Sequence, residues 1–308
     1  MICFVGRIEK TPKKRYDESY KKRSIPPMSL VIGTVSQNQK QLNERIRASR
    51  TLVTDVTPGF YSMHAHEYHE LYCLLLGHAD FLVEGTRYPL AKGDIVLVRK
   101  GEAHMINYRD TEPYERILIH FRDEAVSERD SAPSGIRMLL STPLQGQMNH
   151  FRAAAFAEKN WFYYLTRMLT ENDPVQQLYL HVLLLEMSEA LPLIDKAPSD
   201  QTCEPVSKAI AYISRHLSDK LTLEDICGEV FLSRSQLNRL FQKTTGHTIW
   251  SYVTLKRMLL AKELLRKGER PSQVFGRAGY TDYSTFYRAY TGFYGISPSE
   301  DVGKTAPE

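Results

Sequence analysis

Two groups of residues in this 308-residue chain have the types and spacing to do chemistry. The first is His64, His66, Glu70 and His104. His64 and His66 alternate along a segment that reads as extended, so both face one side, and Glu70 follows His66 by four residues in the same phase. With His104 supplied by another strand, three imidazoles and a carboxylate make a donor set suited to divalent iron, manganese, nickel, zinc or copper. The same groups would equally serve as a metal-free polar pocket or as hydrogen-bonded wall residues. His69 is out of phase with the pair and is not counted among the ligands, nor is His78. The second group is Arg234, Asn238, Arg239 and Lys243, on the outer face of a short helix near the C-terminus. Arginine can fork onto guanine O6 and N7, and asparagine can pair with adenine N6 and N7.

The elements that position these residues are legible in outline. Thr222 with Asp225, and Ser233 with Gln236, are capping-box pairs that would start two short helices, with a turn at Glu229–Leu232 between them. Leu237, Leu240 and Phe241 then face inward, which is a helix-turn-helix pattern. The plan recurs about 50 residues later. A long helix over Ile249–Arg266 leads to Pro271, a short helix to Ala278, a turn at Gly279 and a second outward helix from Ser284. Upstream, from about Leu30 to Phe121, short apolar runs separated by turn residues predict strands at Leu71–Leu76, Ala79–Val83, Ile95–Val98 and Arg116–Phe121. The spacing suits seven or eight strands of an antiparallel sandwich or barrel. From about Gln147 the period turns helical, and Asn172-Asp173-Pro174 opens a helix with apolar residues on more than one face. Val175, Leu178, Val182 and Leu185 form one stripe and Leu183, Leu184 and Met187 another, so the helix would pack against both the β-domain and a partner subunit.

Bulk properties narrow the class less than these patterns do. A net charge of +4 permits nucleic-acid binding without requiring it. From Asp200 onward, 15 Lys/Arg stand against 12 Asp/Glu, so charge alone does not locate a DNA-binding region. Cys3, Cys73, Cys203 and Cys227 are scattered, as expected of reduced thiols in a cytoplasm. No apolar run approaches the roughly 20 residues of a membrane span. Residues 1–27, with Lys13-Lys14-Arg15 and Lys21-Lys22-Arg23, read as a flexible basic arm.

Residues 204–300 resemble the DNA-binding domain of the AraC/XylS family of transcription regulators. The run from Leu221 to Leu265 carries the likeness, with Gly279-Tyr280, Ser284–Arg288 and the closing Gly295–Pro298. The resemblance implies two recognition helices in successive major-groove segments. Ser235, Asn238 and Arg239 would face bases from the first, and Tyr283, Ser284, Tyr287 and Arg288 from the second. Arg234, Lys243 and Arg257 are left for phosphate or structural roles. Phe275 and Thr291 depart from the family pattern, which suggests a weaker second unit. The histidine segment, with Gly59, Gly77, Gly93 and Gly101, resembles the two motifs of a cupin barrel, where the four metal positions would be His64, His66, Glu70 and His104. Arg99 replaces a proline usual there.

The expected architecture is α+β. A flexible arm (1–27) precedes a cupin-like antiparallel β-barrel with a helical dimerisation segment (28–191). A linker (192–203), an all-α tandem helix-turn-helix domain (204–300) and a tail (301–308) follow. The expected function is a non-enzymatic, homodimeric regulator that binds promoter DNA and RNA polymerase and answers to a small effector in the β-domain. By resemblance that effector is a sugar or sugar derivative. A divalent transition metal in the pocket is the possible cofactor. The rival readings are a metal-dependent cupin enzyme fused to a DNA-binding module and a DNA-architectural protein with a vestigial barrel.

Overall fold

The computed structural model describes residues 36–40, 45–61, 63–126, 133–141, 146–156, 158–191 and 203–304. The basic arm of residues 1–27, nearly all of the linker and residues 305–308 lie outside the described residues.

Strand alternation builds the N-terminal half. Ten strands are described: β1 (Ser36–Lys40), β2 (Ile46–Val53), β3 (Gly59–Phe60), β4 (His69–Leu76), β5 (Ala79–Val83), β6 (Thr86–Leu90), β7 (Ile95–Val98), β8 (His104–Tyr108), β9 (Tyr114–Phe121) and β10 (His150–Phe151). All pairings are antiparallel, in a six-stranded sheet of order β1-β2-β9-β4-β7-β10 and a four-stranded sheet of order β3-β8-β5-β6. The expected cupin-like β-domain is therefore built as two sheets, and among the described residues their hydrogen bonding does not close into one cylinder.

The period of two sorts side chains between two cores. Leu71, Cys73 and Leu75 of β4 point away from the second sheet and pack with Leu180, Leu183, Leu184 and Met187. Tyr72 and Leu74 point the other way and pack with Phe81, Val83, Ile106 and Tyr108. The outer layer comprises helices α1 (Ser134–Leu140), α2 (Trp161–Met168) and α3 (Asp173–Ala190). The helical onset expected near Gln147 is corrected here. His150–Phe151 is an edge strand on β7, because Phe151 fills the outer core and His150 bonds Asp94 at 2.8 Å. Helix α1 was not anticipated. Buried Arg99 ties this region down, donating to the carbonyls of Leu139, Gln147 and Met148.

The C-terminal half comprises α4 (Glu204–Arg215), α5 (Leu223–Val230), α6 (Arg234–Thr245), α7 (Ile249–Arg266), α8 (Pro271–Arg277) and α9 (Tyr283–Tyr294). Both anticipated capping boxes form, Thr222 with Asp225 and Ser233 with Gln236. Asp282 caps α9 by accepting from the Thr285 N–H at 2.8 Å. Each of α6 and α9 has 12 residues and ends on a left-handed glycine, Gly246 and Gly295. No described helix is long and apolar enough to cross a membrane.

The two halves share a core. Met63, Leu82, Ala103 and Met105 of the β-domain lie in one buried cluster with Val206, Ile210, Leu237, Phe241 and Tyr252. The β5–β6 turn is pressed into this seam. A Cβ on Gly85 would come within 2.8 Å of Ile210 Cδ1.

Candidate effector pocket and nucleic-acid interface

Within the β-domain, Tyr61 and His64 bond to β8 through their backbones. His64 and His104 exchange both backbone hydrogen bonds, at 3.0 and 2.9 Å, and their rings lie 4.3 Å apart. Glu70 on β4 sits opposite His120 on β9. His120 Nε2 approaches Glu70 Oε2 at 2.8 Å and His66 Nε2 approaches it at 3.3 Å. The four residues expected from sequence thus come together, with His104 Nε2 also 3.8 Å from Glu70 Oε2. Two overlapping triads form, His64/His66/His104 and His66/Glu70/His120, each with its donor atoms within 4.8 Å. His120 was missed because it lies 50 residues from Glu70 in sequence and only strand register brings it there.

Burial alone would raise the Glu70 pKa. Hydrogen bonds from His120 and His66 more than offset that and hold the carboxyl well below the usual range. Burial pushes the His104 imidazole down to about 3, so the ring is neutral. Its Nδ1 lies 2.9 Å from the Glu102 carbonyl and takes the proton there, which leaves Nε2 as an acceptor lone pair. That Nε2 is buried without a hydrogen-bond partner. A buried acceptor left unmade is costly, so it marks a place where a ligand atom is wanted. The donor set fits a divalent ion: the Glu102 carbonyl fixes the tautomer of His104 and its free nitrogen faces the imidazoles of His64 and His66.

His69 faces elsewhere, 2.8 Å from Asp123, and His78 bonds Asp110 at 2.8 Å.

In the helical half, Arg234, Ser235, Arg239 and Lys243 are exposed on α6 and Asn238 is half-buried. Arg234 pairs with Glu224. On α9, Tyr283, Ser284, Tyr287 and Arg288 are exposed. Phe275 is partly buried in the second unit's core and meets Tyr283 edge-on at 6.0 Å. The off-pattern phenylalanine thus props the base of the second recognition helix. Arg257 has a structural job. It donates to the carbonyls of Leu217 at 3.1 Å and Asp219 at 3.0 Å and lies over the Tyr280 ring. Gly279, at φ +78°, leaves it room, since a Cβ there would collide with the Leu217 oxygen and come within 2.7 Å of the Arg257 guanidinium.

Residues 53–187 match the family model of the AraC-like ligand binding domain, and residues 226–302 match a helix-turn-helix domain model. The chain belongs to the AraC/XylS family of transcription regulators. The lactose operon transcription activator of Staphylococcus xylosus is 24% identical to this AraC/XylS-family chain over 233 residues, covering 75% of it and 82% of the relative. The arabinose operon regulatory protein of Salmonella typhimurium is 27% identical over 224 residues, 70% of this chain and 76% of that one. A shorter match, 37% over 89 residues, covers 29% of this regulator and 36% of the probable transcriptional regulator LumQ of Photobacterium leiognathi.

Proposed function

We propose that this regulator binds a polar small molecule in the cleft around His64, His66, Glu70, His104 and His120, and that occupancy changes how its two recognition helices meet promoter DNA. The observation that carries this is the buried, partnerless Nε2 of His104, an acceptor aimed into a ring of polar groups.

The route from cleft to DNA-binding half is short. Met63, next to His64, donates its N–H to His247 Nε2 at 3.1 Å. Glu67, next to His66, pairs with Arg266 of α7. Ala103, next to His104, donates to Glu84 at 2.7 Å, and Glu84 in turn holds Tyr252 and Lys256 of α7. A ligand that binds one arrangement of this seam better than another shifts their balance by its difference in affinity. Arg239 and Asn238 read bases from the first unit with Ser235, while Tyr283, Ser284, Tyr287 and Arg288 do so from the second. Arg234 and Lys243 approach phosphates.

Leu178, Val182 and Leu185 are exposed along one face of α3 and supply a homodimer contact. The regulator acts in the cytoplasm, without enzymatic activity, as an activator that contacts RNA polymerase. Relatives named for lactose and arabinose operons favour a sugar-like effector.

The test is promoter footprinting against a panel of sugars and sugar derivatives, with wild type and His104→Ala. An effector response in wild type that His104→Ala abolishes supports the reading. A response untouched by the substitution places the effector elsewhere.

A second reading has its own observation, the His64/His66/His104 triad with donor atoms within 4.8 Å. These three would hold a divalent ion, which would supply a Lewis-acidic site for an effector oxygen. Stoichiometric metal in protein purified without chelator supports it. Metal retained after His104→Ala and His66→Ala rejects it.

A further inference from the structure

The mouth of the cleft is basic. Pairing of β2 with β9 sets Arg47 directly opposite His120. Just past that ladder the Arg122 N–H donates to the Arg45 carbonyl at 3.0 Å, so these two residues are cross-strand neighbours. By the two-residue period Arg45 and Arg47 share one face, as do His120 and Arg122. Together with Tyr68 and Phe121 they line a shallow, solvent-open pocket. Tyr68 stacks on His66 with ring centroids 3.8 Å apart, so this pocket adjoins the imidazole cluster.

The carboxylates nearby are already engaged. Glu67 holds Arg266, Glu70 holds His120 and His66, and Asp123 holds His69 and Lys100. Among the described residues no carboxylate stands within ion-pair distance of Arg47 or Arg122. Arg47 and Arg122 thus place two guanidiniums on one pocket wall with neither spent on a carboxylate among the described residues. Guanidinium forks match the oxygens of carboxylates and phosphates.

We infer that this pocket binds the anionic group, carboxylate or phosphate, of a small molecule whose remainder extends along His120 toward the imidazole cluster. The inference rests on the effector reading above and moves the ligand class from neutral sugars to acids or phosphate esters.

The test uses the full chain with succinate, inorganic phosphate and neutral succinamide as probes, ionic strength being matched with sodium chloride. Calorimetry and thermal unfolding are run on wild type, Arg47→Lys, and the double variant Arg47→Gln/Arg122→Gln. Succinate or phosphate should bind wild type and raise its unfolding temperature, while succinamide should not. In the double variant binding should weaken about tenfold or more. Arg47→Lys should fall between, which separates lost charge from lost folding. Succinate alone marks a carboxylate ligand, and phosphate alone a phosphate ester. Equal binding by the double variant puts the anion elsewhere, such as on the DNA-facing helices, and overturns the proposal. So does no binding by either anion, or equal binding by succinamide. Anion binding that requires Arg47 and Arg122 but leaves promoter footprints unchanged keeps the pocket and rejects the effector reading.

Discussion

Lys256→Met should uncouple the β-domain from the DNA-binding half. Lys256 Nζ lies 2.7 Å from Glu84 Oε1 and 2.6 Å from the Gly101 carbonyl. The Glu84 side chain is fully buried and that of Lys256 is 7% exposed. At an effective dielectric of 20, opposite unit charges about 4 Å apart attract by about 4 kcal/mol. Removing one member of a buried pair typically costs about 3–5 kcal/mol, because the other charge is stranded. Tyr252 and the Ala103 N–H still serve Glu84, so the lower end, about 3 kcal/mol, is expected here. In Glu84→Gln/Lys256→Met no charge is stranded, and most of the loss should return. The two tryptophans make the assay direct: Trp161 packs against the outer core of the β-domain and Trp250 opens α7. Single-tryptophan versions report each half during urea unfolding. Wild type should lose both signals in one transition, whereas Lys256→Met should separate them. A cost below about 1 kcal/mol, or a double variant as unstable as the sum of the singles, would falsify the argument that charge pairing docks the hairpin.

Other outcomes follow from the same structure. Arg239→Ala should reduce specific binding by about 1–3 kcal/mol with a much smaller loss on scrambled DNA. Anisotropy titrations on both DNAs check this, and equal losses would mean that Arg239 touches only phosphate. Burial alone would raise the Asp80 pKa, but hydrogen bonds from Arg109 and Arg87 overcome it and hold the group below the usual carboxylate range. Its contribution is present above the unfolded pKa and is lost as pH falls through the folded one. Wild-type stability should therefore decline below about pH 4 more steeply than that of Asp80→Asn, as followed by urea midpoints across acid pH. Val182→Arg, on the exposed stripe of α3, should yield monomers in analytical ultracentrifugation with the fold intact by circular dichroism; an unchanged dimer would remove that face from the interface.

Local chemistry was readable from sequence wherever it acts over a few residues. Capping boxes at Thr222 and Ser233 announce their helices because cap and partner are three residues apart. The exposed faces of α6 and α9 follow from helical period. Close spacing grouped His64, His66 and Glu70, although the chain bends at Glu67 and Tyr68 rather than running as one strand. The tertiary structure decided what depends on register and docking. His120 and Arg47 reach the cleft only because β9 and β2 pair in one particular alignment, and a one-residue slip would turn both away. Glu84 meets Lys256 across 172 residues, through a hairpin tip that enters the helical half. No periodicity records such a contact, since it arises from long-range packing and from the cost of leaving a buried charge alone. Helices α6 and α9 with their exposed faces were therefore visible in the sequence, while the basic pocket and the seam between the halves belong to the folded molecule.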